Sequence, residues 1–144
     1  MASLYTEIDI NVPKQQVWQV LLYKEQWKHW NTFLFDCDSS VSFRQGREVS
    51  LSVRRIPDEE ETEFEPLVTR IQPHVCLSWV SSIPGFRNEY VFELQEIGVN
   101  RTKYVHKGNY SGILTGVFLP FIRTDELRGI QRMARELKRY AESF

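Results

Sequence analysis

The sequence predicts an α+β fold in which a curved antiparallel sheet of about six or seven strands wraps around a long C-terminal helix, with two short helices after the first strand. Three observations predict it. Polar and apolar residues alternate through residues 4–12, turn-forming residues divide residues 33–110 into short strand-like runs, and an apolar stripe at helical spacing follows Pro120.

In the first segment the even positions are Leu4, Thr6, Ile8, Ile10 and Val12, with Tyr5, Glu7, Asp9 and Asn11 between them. Successive side chains of a strand point to opposite faces, so this is a half-buried first strand. Pro13 suits a first helical turn, where its missing N–H costs nothing, and Val17, Val20 and Leu21 then recur at helical spacing. Residues 23–31 read as a second short helix that brings Trp27 and Trp30 to one side; with Trp18 they are expected to pack the helices onto the sheet. Arg44-Gln45-Gly46, Ile56-Pro57-Asp58, Gln72-Pro73-His74, Ile83-Pro84-Gly85 and Ile97-Gly98-Val99-Asn100 are turn signals whose spacing predicts an antiparallel meander. The acidic run at residues 58–63 reads as a solvated hairpin loop. After Pro120, Leu127, Ile130, Ala134, Leu137 and Ala141 form one stripe, widened by Met133, Tyr140 and Phe144. Arg128, Arg132, Arg135, Lys138 and Arg139, interleaved with Asp125, Glu126, Glu136 and Glu142, are expected to form its solvated outer face. Phe118-Leu119-Pro120-Phe121 reads either as core or as an apolar gate.

The 144 residues fit one domain spanning 1–144, and a domain of this size buries roughly two-thirds of the surface its unfolded chain exposes. With 18 Lys+Arg against 19 Asp+Glu, the net charge of -1 gives no general pull toward phosphate backbones, so no nucleic-acid partner is expected. No basic-then-apolar leader is visible and no apolar run approaches the roughly 20 residues of a membrane span, which places the expected location in the cytoplasm. Cys37 and Cys76 read as two buried reduced thiols. His29, His74 and His106 fall on separate elements without metal-ligand spacing, and neither a metal nor another cofactor is expected. The oligomeric state stays open between monomer and weak dimer.

Several local motifs agree with one known architecture. Val12-Pro13 followed by Val17-Trp18, Trp30-Asn31 with Phe33, the turn at Gly46, and Pro73 with Leu77 and Trp79 follow in order along the chain. Gly108-Asn109-Tyr110-Ser111-Gly112-Ile113-Leu114 precedes the last helix, which closes on Leu137-Lys138 and Glu142. Together these resemble the START-like (SRPBCC) superfamily, in its polyketide cyclase/dehydrase-like branch, across nearly the whole chain. The resemblance implies a helix-grip fold with an internal cavity between sheet and terminal helix. Its members include lipid carriers, cyclases, hormone receptors and Hsp90-activating co-chaperones, so it leaves the chemistry open.

Strand parity indicates what would line such a cavity. In residues 86–94 the inward positions are Phe86, Asn88, Tyr90, Phe92 and Leu94, and in residues 101–110 they are Thr102, Tyr104, His106, Gly108 and Tyr110. Trp79, Asn88, Tyr90, Phe92, Tyr104 and His106 then form an aromatic wall with a few polar points, closed on the helix side by Ile130 and Met133. The expected function is binding or carriage of a small hydrophobic molecule, lipid-like or aromatic. One alternative is a cyclase or dehydratase with His106 as the acid/base group beside Tyr90 and Tyr104. Another is a protein-interaction module that uses the charged outer face of the sheet. No serine-nucleophile elbow or glycine-rich phosphate loop is present.

Overall fold

A computed structural model describes residues 2–144. Strand β1 (Ala2–Ile10) leads into α1 (Lys14–Leu22) and a 3₁₀ helix (Lys24–His29). Then follow β2 (Leu34–Asp36), β3 (Leu51–Val53), β4 (Thr62–Phe64), β5 (Leu67–Gln72), β6 (Cys76–Ile83), β7 (Phe86–Gly98), β8 (Arg101–Ser111) and α2 (Thr115–Ala141).

All strand pairs are antiparallel, in one sheet of order β1-β8-β7-β6-β5 and a second of order β2-β3-β4. The two sheets are joined ahead of β3, where the Gly46 and Val49 N–H groups donate to the Val68 and Pro66 carbonyls at 2.8 and 3.1 Å. Strands β4 and β5 are one run bent at Glu65-Pro66, its first half paired with β3 and its second with β6. Proline has no N–H to give a ladder, so the switch of partner falls where continuity is already broken. Past the bend, among the described residues, Ser81, Ser82 and Ile83 of β6 pair only with β7, and β4 pairs only with β3. The sheet forks there and leaves an opening.

Each of the five turns read from the sequence contains one residue with a left-handed backbone: Gly46, Asp58, His74, Gly85 and Asn100. The parity of the last two strands also holds, with Tyr90, Phe92 and Leu94 of β7 and Thr102, Tyr104, His106 and Tyr110 of β8 buried. Helix α2 lies over β1, β8 and β7 and buries Ile130, Met133, Ala134, Leu137 and Ala141. Close approach at its middle depends on Gly129, where an added Cβ would lie 2.2 Å from Cε1 of Phe33.

Some local expectations are corrected. The last helix starts at Thr115, ahead of Pro120, so residues 118–121 are helical and not a loop. Pro120 is tolerated because the carbonyl it leaves without an N–H belongs to exposed Gly116. Leu119 is buried, Phe118 meets Phe86 edge-on with ring centroids 5.5 Å apart, and Phe121 is exposed. Phe144 is exposed and does not widen the buried stripe, and Glu126, expected on the solvated face, is buried. Cys37 is exposed and Cys76 buried, both as free thiols. No helix among the described residues is long and apolar enough to cross a membrane.

Candidate functional site

The opening between β4 and β6 leads into a cavity of about 240 Å³. Leu34, Val53, Phe64, Ile83 and Phe86 give it apolar walls. Thr62, Glu63, Ser81 and Ser82 lie toward the mouth, and Arg55, Asn88, Tyr90 and Glu126 supply its inner polar groups.

Glu126 comes from the second turn beyond Pro120, on the face of α2 that meets the sheet, and its side chain is 1% exposed. Two partners occupy its oxygens. The Tyr90 hydroxyl donates to Oε1, and Nε of Arg55 donates to Oε2 at 2.7 Å. Burial pushes the Glu126 carboxyl up from its ordinary value, and the Arg55 guanidinium beside it opposes that rise. Arg55 lies two residues past β3, and α2 fixes the backbone there: Nη2 of Arg132 donates to the Arg54 carbonyl at 2.8 Å and Nη1 to the Arg55 carbonyl at 3.5 Å. A buried carboxylate is thus charge-paired and hydrogen-bonded, as burial of a charge requires.

Of the residues that sequence parity pointed inward, Phe86, Asn88 and Tyr90 line this cavity. Trp79, Phe92, Tyr104, His106, Ile130 and Met133 are fully buried behind them. Tyr90 ties the two layers together, since its ring stands edge-on to His106 at 4.6 Å and its hydroxyl reaches Glu126. His106 also lies 4.2 Å from the Phe92 ring, and Phe92 lies 5.0 Å from Trp79. Inside this layer neither nitrogen of His106 has a partner among the described residues, nor do the hydroxyls of Tyr104 and Tyr110. Burial holds His106 down to about 3, so it is a neutral imidazole at neutral pH, and pushes the Tyr104 and Tyr110 phenols up. The Tyr110 hydroxyl lies over Gly108, where a Cβ would come within 2.8 Å of it.

Sequence reasoning missed Glu126 and Arg55. A signal for Glu126 was present: it lies four residues before Ile130 and seven before Met133, on the apolar stripe. Arg55 carried none, because its role arises from the bend that brings β3 beside α2.

A wider groove of about 760 Å³ runs between α1 and the end of α2, lined by residues that include Gln15, Gln16, Gln19, Gln26, Tyr23 and Tyr140. Among the described residues no charged side chain lines it. Among the described residues, no group of three or more His, Cys, Asp or Glu side chains is placed to hold a metal ion.

Solved structures share the whole architecture. A START superfamily protein from Mycobacterium smegmatis matches 98% of this chain and 97% of its own at a TM-score of 0.77 and 14% identity. A putative protein in the dynemicin biosynthetic locus matches 98% of this chain over 47% of its own, at a TM-score of 0.70 and 17% identity. Norcoclaurine synthase from Thalictrum flavum, in complex with dopamine and hydroxybenzaldehyde, matches 99% of this chain and 87% of its own at a TM-score of 0.69 and 11% identity. No protein-family model matches the sequence, and no curated protein matches it. The chain has the START-like helix-grip fold; at these identities the likeness extends to the fold alone.

Proposed function

We propose that this protein binds a small, mostly apolar molecule in the cavity between the forked sheet and α2. The observation that carries the reading is the cavity itself, a chamber of about 240 Å³ with apolar walls, convergent inner polar groups and an opening through the sheet. Such composition is that of ligand sites, in which apolar walls supply affinity and sparse polar groups fix orientation. Drug-sized sites run from about 300 to 1,000 Å³, so this volume favours a small aromatic over a lipid. The dopamine and hydroxybenzaldehyde bound by norcoclaurine synthase are of that size class.

Asn88 is the first polar contact in this reading: its Oδ1 is buried without a donor. Behind it, Trp79, Phe92, Tyr104, His106, Ile130 and Met133 form a fully buried layer that backs the cavity. The unpartnered atoms of Tyr104, His106 and Tyr110 need water or a polar group of the ligand, because unsatisfied buried atoms cost about 1–3 kcal/mol each. Binding is favoured over acid/base turnover through His106. A general base works best with a value near the operating pH, and burial holds this imidazole far below it.

The test is an NMR screen of small aromatic probes against labelled protein, backed by native mass spectrometry for anything that copurifies. Saturable shifts centred on Asn88, Tyr90 and Phe86 are expected. A library that leaves those resonances unmoved, or binds only in the groove beside α1, would overturn the reading.

A further inference from the structure

We infer that Arg55 is an anion clamp, and that the ligand carries a planar carboxylate on its apolar body. This rests on the binding reading above and narrows its chemistry. A guanidinium offers five N–H donors in a flat fork. Only Nε of Arg55 is engaged by protein, by Oε2 of Glu126 at 2.7 Å; among the described residues Nη1 and Nη2 donate to no protein acceptor. The side chain lines the cavity and is 28% exposed, so this free end is open to an occupant. It is also held in place, through Glu126 on one side and through the Arg132 contacts to its backbone on the other. A fixed fork with two free amino groups is the geometry that takes a carboxylate through two parallel hydrogen bonds.

Charge around the fork permits a second anion. Each oxygen of Glu126 already accepts one hydrogen bond, from Tyr90 and from Arg55, and the Arg55 guanidinium offsets its charge. Arg123, one turn before Glu126 on α2, is exposed and joins no ion pair among the described residues. The charges of Arg55 and Arg123 both reach the buried Tyr110 phenol, where they work against the upward push of burial. Glu63, the remaining carboxylate of the lining, is exposed to solvent. Asn88 adds an acceptor for a hydroxyl on the ligand.

The test uses two probes of one shape, 2-hydroxybenzoate and the neutral 2-hydroxybenzamide, titrated into the full chain and followed by NMR. Both are expected to shift Asn88 and Tyr90, with the carboxylate binding about tenfold tighter. Arg55→Lys keeps a cation for Glu126 but loses the fork. In that variant carboxylate affinity is expected to fall about fivefold or more while the amide changes less than about twofold. Equal affinity for the two probes, or a carboxylate preference unchanged by Arg55→Lys, overturns the clamp; saturable binding of the amide at Asn88 would then leave the cavity reading standing. If neither probe moves Asn88 or Tyr90, the clamp and the cavity reading fall together.

Discussion

His106 makes the fold sensitive to acid. Its ring is fully buried, and burial lowers it to about 3 from about 6.5 in an unfolded chain. As pH falls below 6.5 the unfolded state takes the proton first, so stability is lost from there down toward pH 3. That single group contributes a loss of about 2 kcal/mol between pH 7 and pH 5. Denaturant unfolding of His106→Phe at both pH values is expected to show a correspondingly smaller loss; an identical pH dependence would mean that the ring is already hydrated. Parity along β8 made His106 visible in the sequence, but its lack of partners was not, because that depends on which side chains approach from other elements. Lys24 was equally hidden: on a short helix it reads as a surface residue, yet it is 1% exposed and grips Asp36 at 2.5 Å and the Asp38 carbonyl at 2.7 Å. Lys24→Met removes the cation from an Asp36 carboxylate that keeps hydrogen bonds from Ser39 and the Asp38 N–H, so a stability loss of about 3 kcal/mol is expected by equilibrium unfolding. A loss below about 1 kcal/mol would show that water replaces the lysine freely.

At the scale of elements, α2 was legible wherever its apolar stripe was regular and obscure at its start. Pro120 reads as a boundary because proline breaks helices, but the first turns of α2 lie against solvent and tolerate the missing hydrogen bond. Pro120→Ala restores an N–H for the Gly116 carbonyl, and a gain of about 2 kcal/mol in unfolding free energy is expected after the lost rigidity of the unfolded chain is offset. No gain would mean that water already satisfies the Gly116 carbonyl. Gly129 gives the opposite case, since a methyl there meets the Phe33 ring. Gly129→Ala improves helix propensity yet is expected to destabilise by about 1–3 kcal/mol through overpacking. The measurement is again the shift in denaturation midpoint, and a stabilised variant would mean that α2 can lift from the Phe33 ring at little cost.

For the whole molecule, the turns and the period-two strands made the meander readable, while the fork in the sheet was not, because pairing partners are set by tertiary placement and a Pro66 kink does not announce which strand each half will join. The cavity was readable only in part for the same reason: Asn88 and Tyr90 follow from parity, whereas the mouth and Arg55 follow from the fork. A ligand that enters there binds the folded state alone, so at about 100 times its dissociation constant it is expected to raise unfolding free energy by about 2.7 kcal/mol, measurable as a concentration-dependent melting temperature. A melting temperature that stays constant under saturation would mean that the unfolded chain binds as well. The fork has one more consequence. Among the described residues, the backbone at Ser81, Ser82 and Ile83 has no strand partner on the side away from β7, and β4 has none on the side away from β3. The width of the entrance is therefore written in hydrogen-bond register: were the switch at Pro66 moved a few residues toward β4, the two strands would zip together and seal the chamber with every lining side chain unchanged.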